Sequence, residues 1–337
     1  MKNTSRTWID ICRIISIFGV VLLHTSATVV INKDIGSFEW WMGNIYDSSV
    51  RWCVPVFIMI SGALLLSPEK TKNKTLFYKK RVYRIIPALV FWSFVFILWD
   101  IIISHINGHY MNFSQVLKKI KTGTPHYHLW FLYMIPMLYL ITPFLTSMMK
   151  KVSPKYTTLL LIVLFIISIL FYFIKRENTL FIFSFIPYVS YFICGKYISE
   201  KNTESYKTIS FIIFFSMIIF TAILTYFLCE VRGIGQGLYF YDYISITIIP
   251  MSISLFIIIK NIKFNFKFKS IIPKISGLCF GVYLVHPLIL ELGALFNIKP
   301  ENYSSTISIP IITVIVLTVS LTISYIFKKI KILNILV

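Results

Sequence analysis

The first apolar segment, residues 8–31, carries three ionisable side chains that could do chemistry within a membrane: Asp10, Arg13 and His24. On an α-helix Arg13 and His24 share one face to within roughly 20° and lie about 16 Å apart along the axis. An ionisable side chain at such a depth costs at least about 2.5 kcal/mol, which indicates a protein-lined or water-filled cavity. The alternative is a structural ion pair between Asp10 and Arg13 near the headgroups, with His24 in the opposite interface.

Two later motifs could supply further polar groups. Ser61 and Gly62 lie within a second apolar run, and Arg81 and Arg84 precede a third. Two arginines one helical turn apart suit a bidentate grip on phosphate oxygens. Basic residues also flank cytoplasmic helix ends to set membrane topology, so the arginine motif alone leaves both interpretations open.

A second histidine lies in an apolar run near the end of the chain. Tyr283 and His286 are three residues apart, and Glu291 follows about a turn and a half later. A second ionisable group within a span strengthens the hypothesis of a polar cavity.

The composition determines which elements must position these residues. Of the 337 residues 57% are hydrophobic and 14% charged, and the mean hydropathy is +0.78. Soluble proteins average roughly 45 to 50% apolar and 25% charged residues, so we predict an all-α, polytopic membrane protein. The net charge of +20 would suggest nucleic-acid binding in a soluble protein, but here the lysines lie in loops and no nucleic-acid partner is expected.

Ten segments are apolar and long enough to span a bilayer. They are residues 8–31, 49–67, 85–104, 129–148, 157–175, 179–198, 208–229, 244–260, 275–297 and 307–327. With both termini in the cytoplasm, most of the 33 lysines and arginines fall in cytoplasmic loops, as the positive-inside rule requires. No loop is long enough to fold alone, so we predict a single membrane-embedded domain over residues 1–337.

The loop between the predicted third and fourth spans contains His105, His109, His126 and His128. Their irregular spacing and the lack of a nearby carboxylate argue against a metal site, so we expect no metal. The three lysines of this loop could belong to a half-buried helix lying on the membrane surface.

Taken in order, five motifs resemble those of the acyltransferase-3 family of integral membrane acyltransferases. They are Arg13-x10-His24, Ser61-Gly62, Arg81-x-x-Arg84, His128-Leu-Trp130-Phe-Leu-Tyr133 and Tyr283-Leu-Val-His286-Pro287. Each motif is weak alone, but the five together span nearly the whole chain. The segments around His24, Ser61 and His128 resemble most the branch that holds the enterobacterial-common-antigen O-acetyltransferase and the membrane half of membrane-bound serine racemases.

The resemblance implies an O-acyltransferase of the bacterial cell membrane. It would move an acyl group, normally acetyl from cytoplasmic acetyl-CoA, to a hydroxyl of an extracytoplasmic or lipid-linked glycan. We predict His24 as the general base, or as the carrier of a transient acyl group, with Arg13 and Asp10 as further catalytic residues. The predicted donor-binding residues are Arg81, Arg84, Ser61, Tyr283 and His286.

A transporter of a small amino acid such as serine is the alternative function. Intramembrane Arg, Asp and His are also typical of proton-coupled carriers. The arginine motif favours the acyltransferase, because a serine carrier needs no phosphate grip. Membrane lipid is an expected partner in both cases, and the oligomeric state stays open, with a homodimer as one alternative.

Overall fold

A computed structural model describes residues 4–174, 183, 185–262 and 270–337 of the chain. Within those ranges every regular element is an α-helix or a short 3-10 helix, and no strand occurs. The prediction of an all-α protein is therefore confirmed. Residues 263–269, which include three of the predicted cytoplasmic lysines, lie outside the described residues.

The described α-helices are numbered in chain order. They are α1 Thr4–Asn32, α2 Phe38–Val50, α3 Cys53–Leu65, α4 Pro68–Thr71, α5 Lys74–Ile106, α6 Phe113–Lys121, α7 Trp130–Met149, α8 Pro154–Ile174, α9 Val189–Glu200, α10 Lys207–Arg232, α11 Ile234–Gly237, α12 Ile248–Asn261, α13 Ile271–Ser276, α14 Cys279–Leu295 and α15 Ser305–Lys329. The 3-10 helices are Ile186–Tyr188, Glu204–Tyr206, Leu238–Tyr241, Pro300–Asn302 and Leu333–Leu336.

Eight helical stretches of the described residues are long and apolar enough to cross a membrane. They are Thr7–Asn32, Phe38–Leu65, Lys74–Ile106, Trp130–Met149, Pro154–Tyr172, Glu204–Arg232, Cys279–Asn302 and Ser305–Lys329. Large side chains of α5 such as Val90 and Phe94 are 64% and 65% exposed, as expected of a surface that faces lipid. The chain is a multi-pass membrane protein.

Two of the ten predicted spans have no counterpart among these eight stretches. Predicted span 244–260 contains α12, whose 14 residues extend only about 21 Å, less than the roughly 30 Å of a bilayer core. Predicted span 179–198 lies partly outside the described residues, and its described helix α9 has 12 residues. The second predicted span also begins earlier than expected, because α2 starts at Phe38.

The described residues group into two compact units, and the first consists of positions up to 63 together with 194–326. In this unit α1 packs against α2, α13 and α14, and α10 packs against α12. The approach of α2 to α1 requires Gly43, because a Cβ there would lie 2.9 Å from Cγ1 of Val29. The requirement for glycine is stronger at position 195, since a Cβ there would lie 2.0 Å from the carbonyl oxygen of Met59.

The second unit consists of residues 64–193 and 327–337. In this unit α5 packs against α7 and against the 3-10 helix at residues 333–336. Trp92 of α5 is buried, and its indole N–H donates to the carbonyl oxygen of Leu336 at 2.9 Å. The single domain expected from the sequence stays a prediction.

The surface helix expected between the third and fourth spans corresponds to α6. An Asn112–Gln115 capping box closes its first turn, and three lysines lie in its last turn. Phe113, Leu117 and Ile120 are all exposed and follow one another at i, i+4 and i+7, so they form one apolar face. A helix is thus present in this loop, and its position on the membrane surface stays a prediction.

Candidate active site

His24 and His286 come together inside the first unit. His24 lies on α1 and His286 on α14, and these helices pack against each other. The ring centroids are 5.3 Å apart, and the ring planes are inclined by 30°. His286 is fully buried, whereas His24 is half-buried. Two histidines that are 262 positions apart in the chain thus form one stacked pair.

The hydrogen bonding of His286 indicates the tautomer of its imidazole ring. Its Nδ1 lies 3.0 Å from the main-chain oxygen of Val282, one turn earlier on α14. Since a carbonyl oxygen only accepts hydrogen bonds, Nδ1 carries a hydrogen, and the neutral ring has its lone pair on Nε2. The ring of Tyr283 lies 6.4 Å from that of His286, so this predicted residue adjoins the same pair.

Asp10 and Arg13 form a local ion pair nearer the start of α1. Arg13 Nη1 lies 3.1 Å from Asp10 Oδ1. Ser276, the last residue of α13, donates to the same carboxylate oxygen at 2.7 Å. Because α1 is continuous, Arg13 lies about 16 Å and Asp10 about 21 Å along the helix from His24. The structural alternative for Asp10 and Arg13 therefore has direct geometric support, and a catalytic role for them stays a prediction.

Ser61 lies on α3 of the first unit and is half-buried. Its hydroxyl donates to the carbonyl oxygen of Phe57 at 3.0 Å, one turn earlier on the helix. Such a bond satisfies a serine inside an apolar helix without any ligand. Its role in donor binding stays a prediction.

Arg81 and Arg84 lie on α5 in the second unit, and each has a different environment. Arg84 Nη1 donates to the main-chain oxygen of Val337 at 2.9 Å. The Arg81 guanidinium lies over the rings of Phe77 and Tyr139, at 5.2 Å and 6.0 Å from their centroids, and it lines an open cleft. The contacts described for the two arginines differ, and their joint grip on a phosphate stays a prediction.

The sequence model of the acyltransferase-3 family, described as an acyltransferase domain, matches residues 6–329. The chain belongs to this family. No curated protein and no solved structure matches the chain significantly. The protein is therefore an acyltransferase, which requires an acyl donor and an acceptor, and its match covers both histidines of the stacked pair.

The structure of this acyltransferase also contains a buried ion pair that the sequence analysis missed. Asp47 on α2 has no exposed surface, and Arg51 contacts both of its oxygens, with Nη2 2.8 Å from Oδ2. The Arg51 guanidinium also lies 4.0 Å above the ring of Tyr241. The Tyr241 hydroxyl donates to Oδ1 of Asn44 at 2.6 Å. Burial holds the pKa of Tyr241 well above its usual value, so the phenol stays a neutral donor.

A signal for this network is present in the sequence. Four polar residues of this region are spaced i, i+3, i+4 and i+7, which places them on one helical face. They are Asn44, Asp47, Ser48 and Arg51. The predicted second span begins at residue 49, so it separates Arg51 from the other three residues, which fall in the predicted loop, and the shared face is not recognised.

A second histidine pair lies in the second unit of the acyltransferase. The Nδ1 atoms of the buried residues His126 and His128 are 3.1 Å apart. Asp100 Oδ1 lies 3.9 Å from His126 Nε2, and the other oxygen of this carboxylate accepts a hydrogen bond from Lys119. The ring of Phe96 stacks on His126 with a centroid distance of 4.3 Å.

The histidine-rich loop raised the question of a metal site. Among the described residues, no three His, Cys, Asp or Glu side chains are grouped so that they could hold a metal ion. The absence of a metal from the reaction stays an expectation. Asp100 lies on α5 rather than in the loop, which is why the loop sequence did not show the carboxylate beside His126.

Proposed function

We propose that the protein is an O-acyltransferase that moves an acetyl group from acetyl-CoA to a hydroxyl of an extracytoplasmic or lipid-linked cell-surface glycan. The observation that supports this proposal is the stacked pair of His24 and His286 in membrane helices of an acyltransferase. An imidazole can exchange protons near neutral pH, and an ionisable side chain in a membrane helix is costly unless it has a function or a polar surrounding.

In the proposed reaction His24 is the general base. Its imidazole takes the proton of the acceptor hydroxyl, and the oxygen attacks the carbonyl carbon of the thioester. The C–S bond breaks, and the imidazolium returns the proton to the CoA thiolate. An alternative is a transient acyl-imidazole on His24, which the acceptor hydroxyl then cleaves.

In this proposal His286 is a positioning residue, which orients the ring of His24. The bond from its Nδ1 to the Val282 carbonyl fixes the ring, and the fixed ring restricts the orientation of His24, which stacks on it. A base held in one orientation reacts faster than one that samples many. Tyr283, Ser61, Asp10 and Arg13 remain candidates for contacts with the donor or with the developing oxyanion.

We further propose that Arg81 and Arg84 bind phosphates of the donor and that the protein acts in a bacterial cell membrane. The resemblance of three motifs to the branch of the enterobacterial-common-antigen O-acetyltransferase supports a glycan acceptor.

The test uses purified protein in lipid nanodiscs with acetyl-labelled acetyl-CoA and glycans extracted from cell envelopes. We expect label to move from CoA to an alkali-labile ester on the glycan and free CoA to appear in equal amount. Mass spectrometry of envelope glycans with and without the gene should show the same 42-dalton difference that an acetyl ester adds.

Transport of serine is measured in parallel, in proteoliposomes that contain the same protein. Labelled serine entering the vesicles, with no CoA released in the nanodisc assay, would overturn the acyltransferase proposal. Release of CoA that depends on an added glycan would instead support it.

A further inference from the structure

A strongly basic cleft lies in the second unit beside the start of α5. Its volume is about 860 Å³, which is within the range of sites for small molecules. Its basic lining residues are Lys70, Lys72, Lys74, Lys80 and Arg81. Glu69 is the one carboxylate among the lining residues.

The local structure explains why these cations converge. Helix α4 ends at Thr71, and the Asn73 side chain caps α5 by accepting from the N–H of Leu76. The chain therefore turns between α4 and α5, and the turn brings lysines from both sides of it to one cleft. Lys74 and Arg81 are seven residues apart on α5, so they project from the same face two turns apart.

Arg81 is the residue that distinguishes this cleft from an ordinary basic loop. Its guanidinium packs over Phe77, which is 3% exposed, and its Nε is buried without a hydrogen-bond partner among the described residues. The four lysines are exposed, so their repulsion is screened by water. A buried guanidinium N–H, in contrast, favours an anion that supplies the missing acceptor.

The chemistry that fits the cleft is a cluster of phosphate groups carried on one small molecule. Five cations against one carboxylate leave an excess that a single phosphodiester cannot neutralise. The nucleotide end of CoA carries a pyrophosphate and a separate 3′-phosphate. A donor attached to a carrier protein through phosphopantetheine carries one phosphodiester only.

We infer that this cleft binds the 3′-phosphorylated nucleotide end of the acyl-CoA donor and selects it by the 3′-phosphate. The inference rests on the proposed function, because that function supplies CoA as the donor. It adds Lys70, Lys72, Lys74 and Lys80 to the donor site and makes the cleft the part that separates acyl-CoA from other acyl thioesters.

Nucleotide binding is measured by titration calorimetry on the full chain in phosphatidylcholine nanodiscs. CoA should bind about tenfold more tightly than dephospho-CoA, since loss of one charge-assisted phosphate contact is worth about that factor. Adenosine 3′,5′-bisphosphate alone should bind and compete with CoA. Equal affinity for CoA and dephospho-CoA would overturn the inference.

The variant Lys74→Ala/Lys80→Ala tests the lysines. It should reduce the preference for CoA over dephospho-CoA at least threefold, and the loss should shrink at high salt. Lys79→Ala is the matched control, because Lys79 lies on the same helix, is exposed and is not part of the lining. An equal loss in the control variant would assign the effect to general surface charge and overturn the site.

Anionic lipid headgroups share the phosphate chemistry, so a second arm separates the two sources. If the cleft is a lipid site, phosphatidylglycerol retained on the protein in native mass spectrometry should fall in the double variant while its nucleotide preference stays unchanged. That result would overturn the inference. Because bisphosphate binding needs no acyl transfer, absence of transfer with intact binding would count against the proposed function alone.

Discussion

The acyltransferase contains two histidine pairs that use the imidazole ring in different ways. In the first unit His24 and His286 meet face to face, with planes inclined by 30°. In the second unit His126 and His128 meet edge to edge through their Nδ1 atoms, with planes inclined by 76°. Stacking uses the ring faces and leaves the in-plane nitrogens to other partners, whereas the edge contact uses one nitrogen of each ring. The contact between the rings thus occupies no nitrogen of His24 or His286, whereas it occupies one nitrogen each of His126 and His128.

The two units also differ in the burial of their ion pairs. In the first unit the Asp47 side chain is completely buried and Arg51 is 13% exposed. In the second unit Asp100 and Lys119 are 17% and 33% exposed. A fully desolvated pair depends strongly on both partners, and a half-exposed pair is partly solvated without its partner. The ion pair of the first unit is therefore expected to be the more sensitive of the two to loss of one partner.

The largest expected effect is that of His24→Ala. Transfer should fall by about 10² to 10⁴-fold, the range for loss of a positioned general base, while CoA binding and thermal stability change little. His128→Ala is the matched change in the other pair and should lower the melting temperature more than the rate. A wild-type rate in His24→Ala would assign the base to another residue, with His286 the next candidate.

The same variant distinguishes a base from an acyl carrier. Incubation with labelled donor in the absence of acceptor should leave hydroxylamine-sensitive label on the wild type if an acyl-imidazole forms. No label on the wild type, together with the loss of transfer in His24→Ala, would support direct attack by the acceptor.

The next effect is on stability and compares the two ion pairs. Arg51→Ala should lower the free energy of unfolding by about 3 to 5 kcal/mol, because it leaves the Asp47 carboxylate buried without its partner. Lys119→Ala should lower it by no more than about 1 kcal/mol, since that pair is partly solvated. Denaturant titration in detergent micelles measures both. Equal losses would contradict the contrast between the units.

A smaller effect is expected for His286. Two substitutions distinguish a role in orienting His24 from a role in protein stability. Asn at 286 keeps an N–H near the Val282 carbonyl, so His286→Asn should stay within about 1 kcal/mol of wild-type stability. Its transfer rate should fall about tenfold, because His24 loses its stacking partner. His286→Ala should add a stability loss of about 1 to 3 kcal/mol. A normal rate in His286→Asn would make this histidine purely structural.

The last comparison concerns the two arginines of α5. Arg81→Ala should weaken CoA binding by about 1.5 to 3 kcal/mol, the value of a charge-assisted contact, and Arg81→Lys should restore only part of it. Arg84→Ala should cost about 1 kcal/mol or less, because its Nη1 already donates to Val337. Calorimetric titration with CoA checks both. A greater loss for Arg84 would reverse their assignment.

Much of the fold can be predicted from the sequence, because each long helix is a continuous apolar segment that can be recognised by itself. Apolar length alone predicts spans such as α1 and α15, and the family motifs identify His24 and His286 as residues to examine. The start of α2 at Phe38 was missed because its polar face is buried by neighbouring helices, and a polar run outside a hydropathy window is assigned to a loop.

The sequence by itself determined a multi-pass helical acyltransferase and the face of α1 that carries Arg13 and His24. Only the tertiary structure decided that His24 stacks on His286, that Asp10 and Arg13 bond with Ser276, and that Arg84 donates to Val337. The physical reason is that periodicity reports the faces of one helix at a time. Which faces meet depends on packing between segments far apart in the chain, such as the approach of α9 to α3 that Gly195 permits beside Met59.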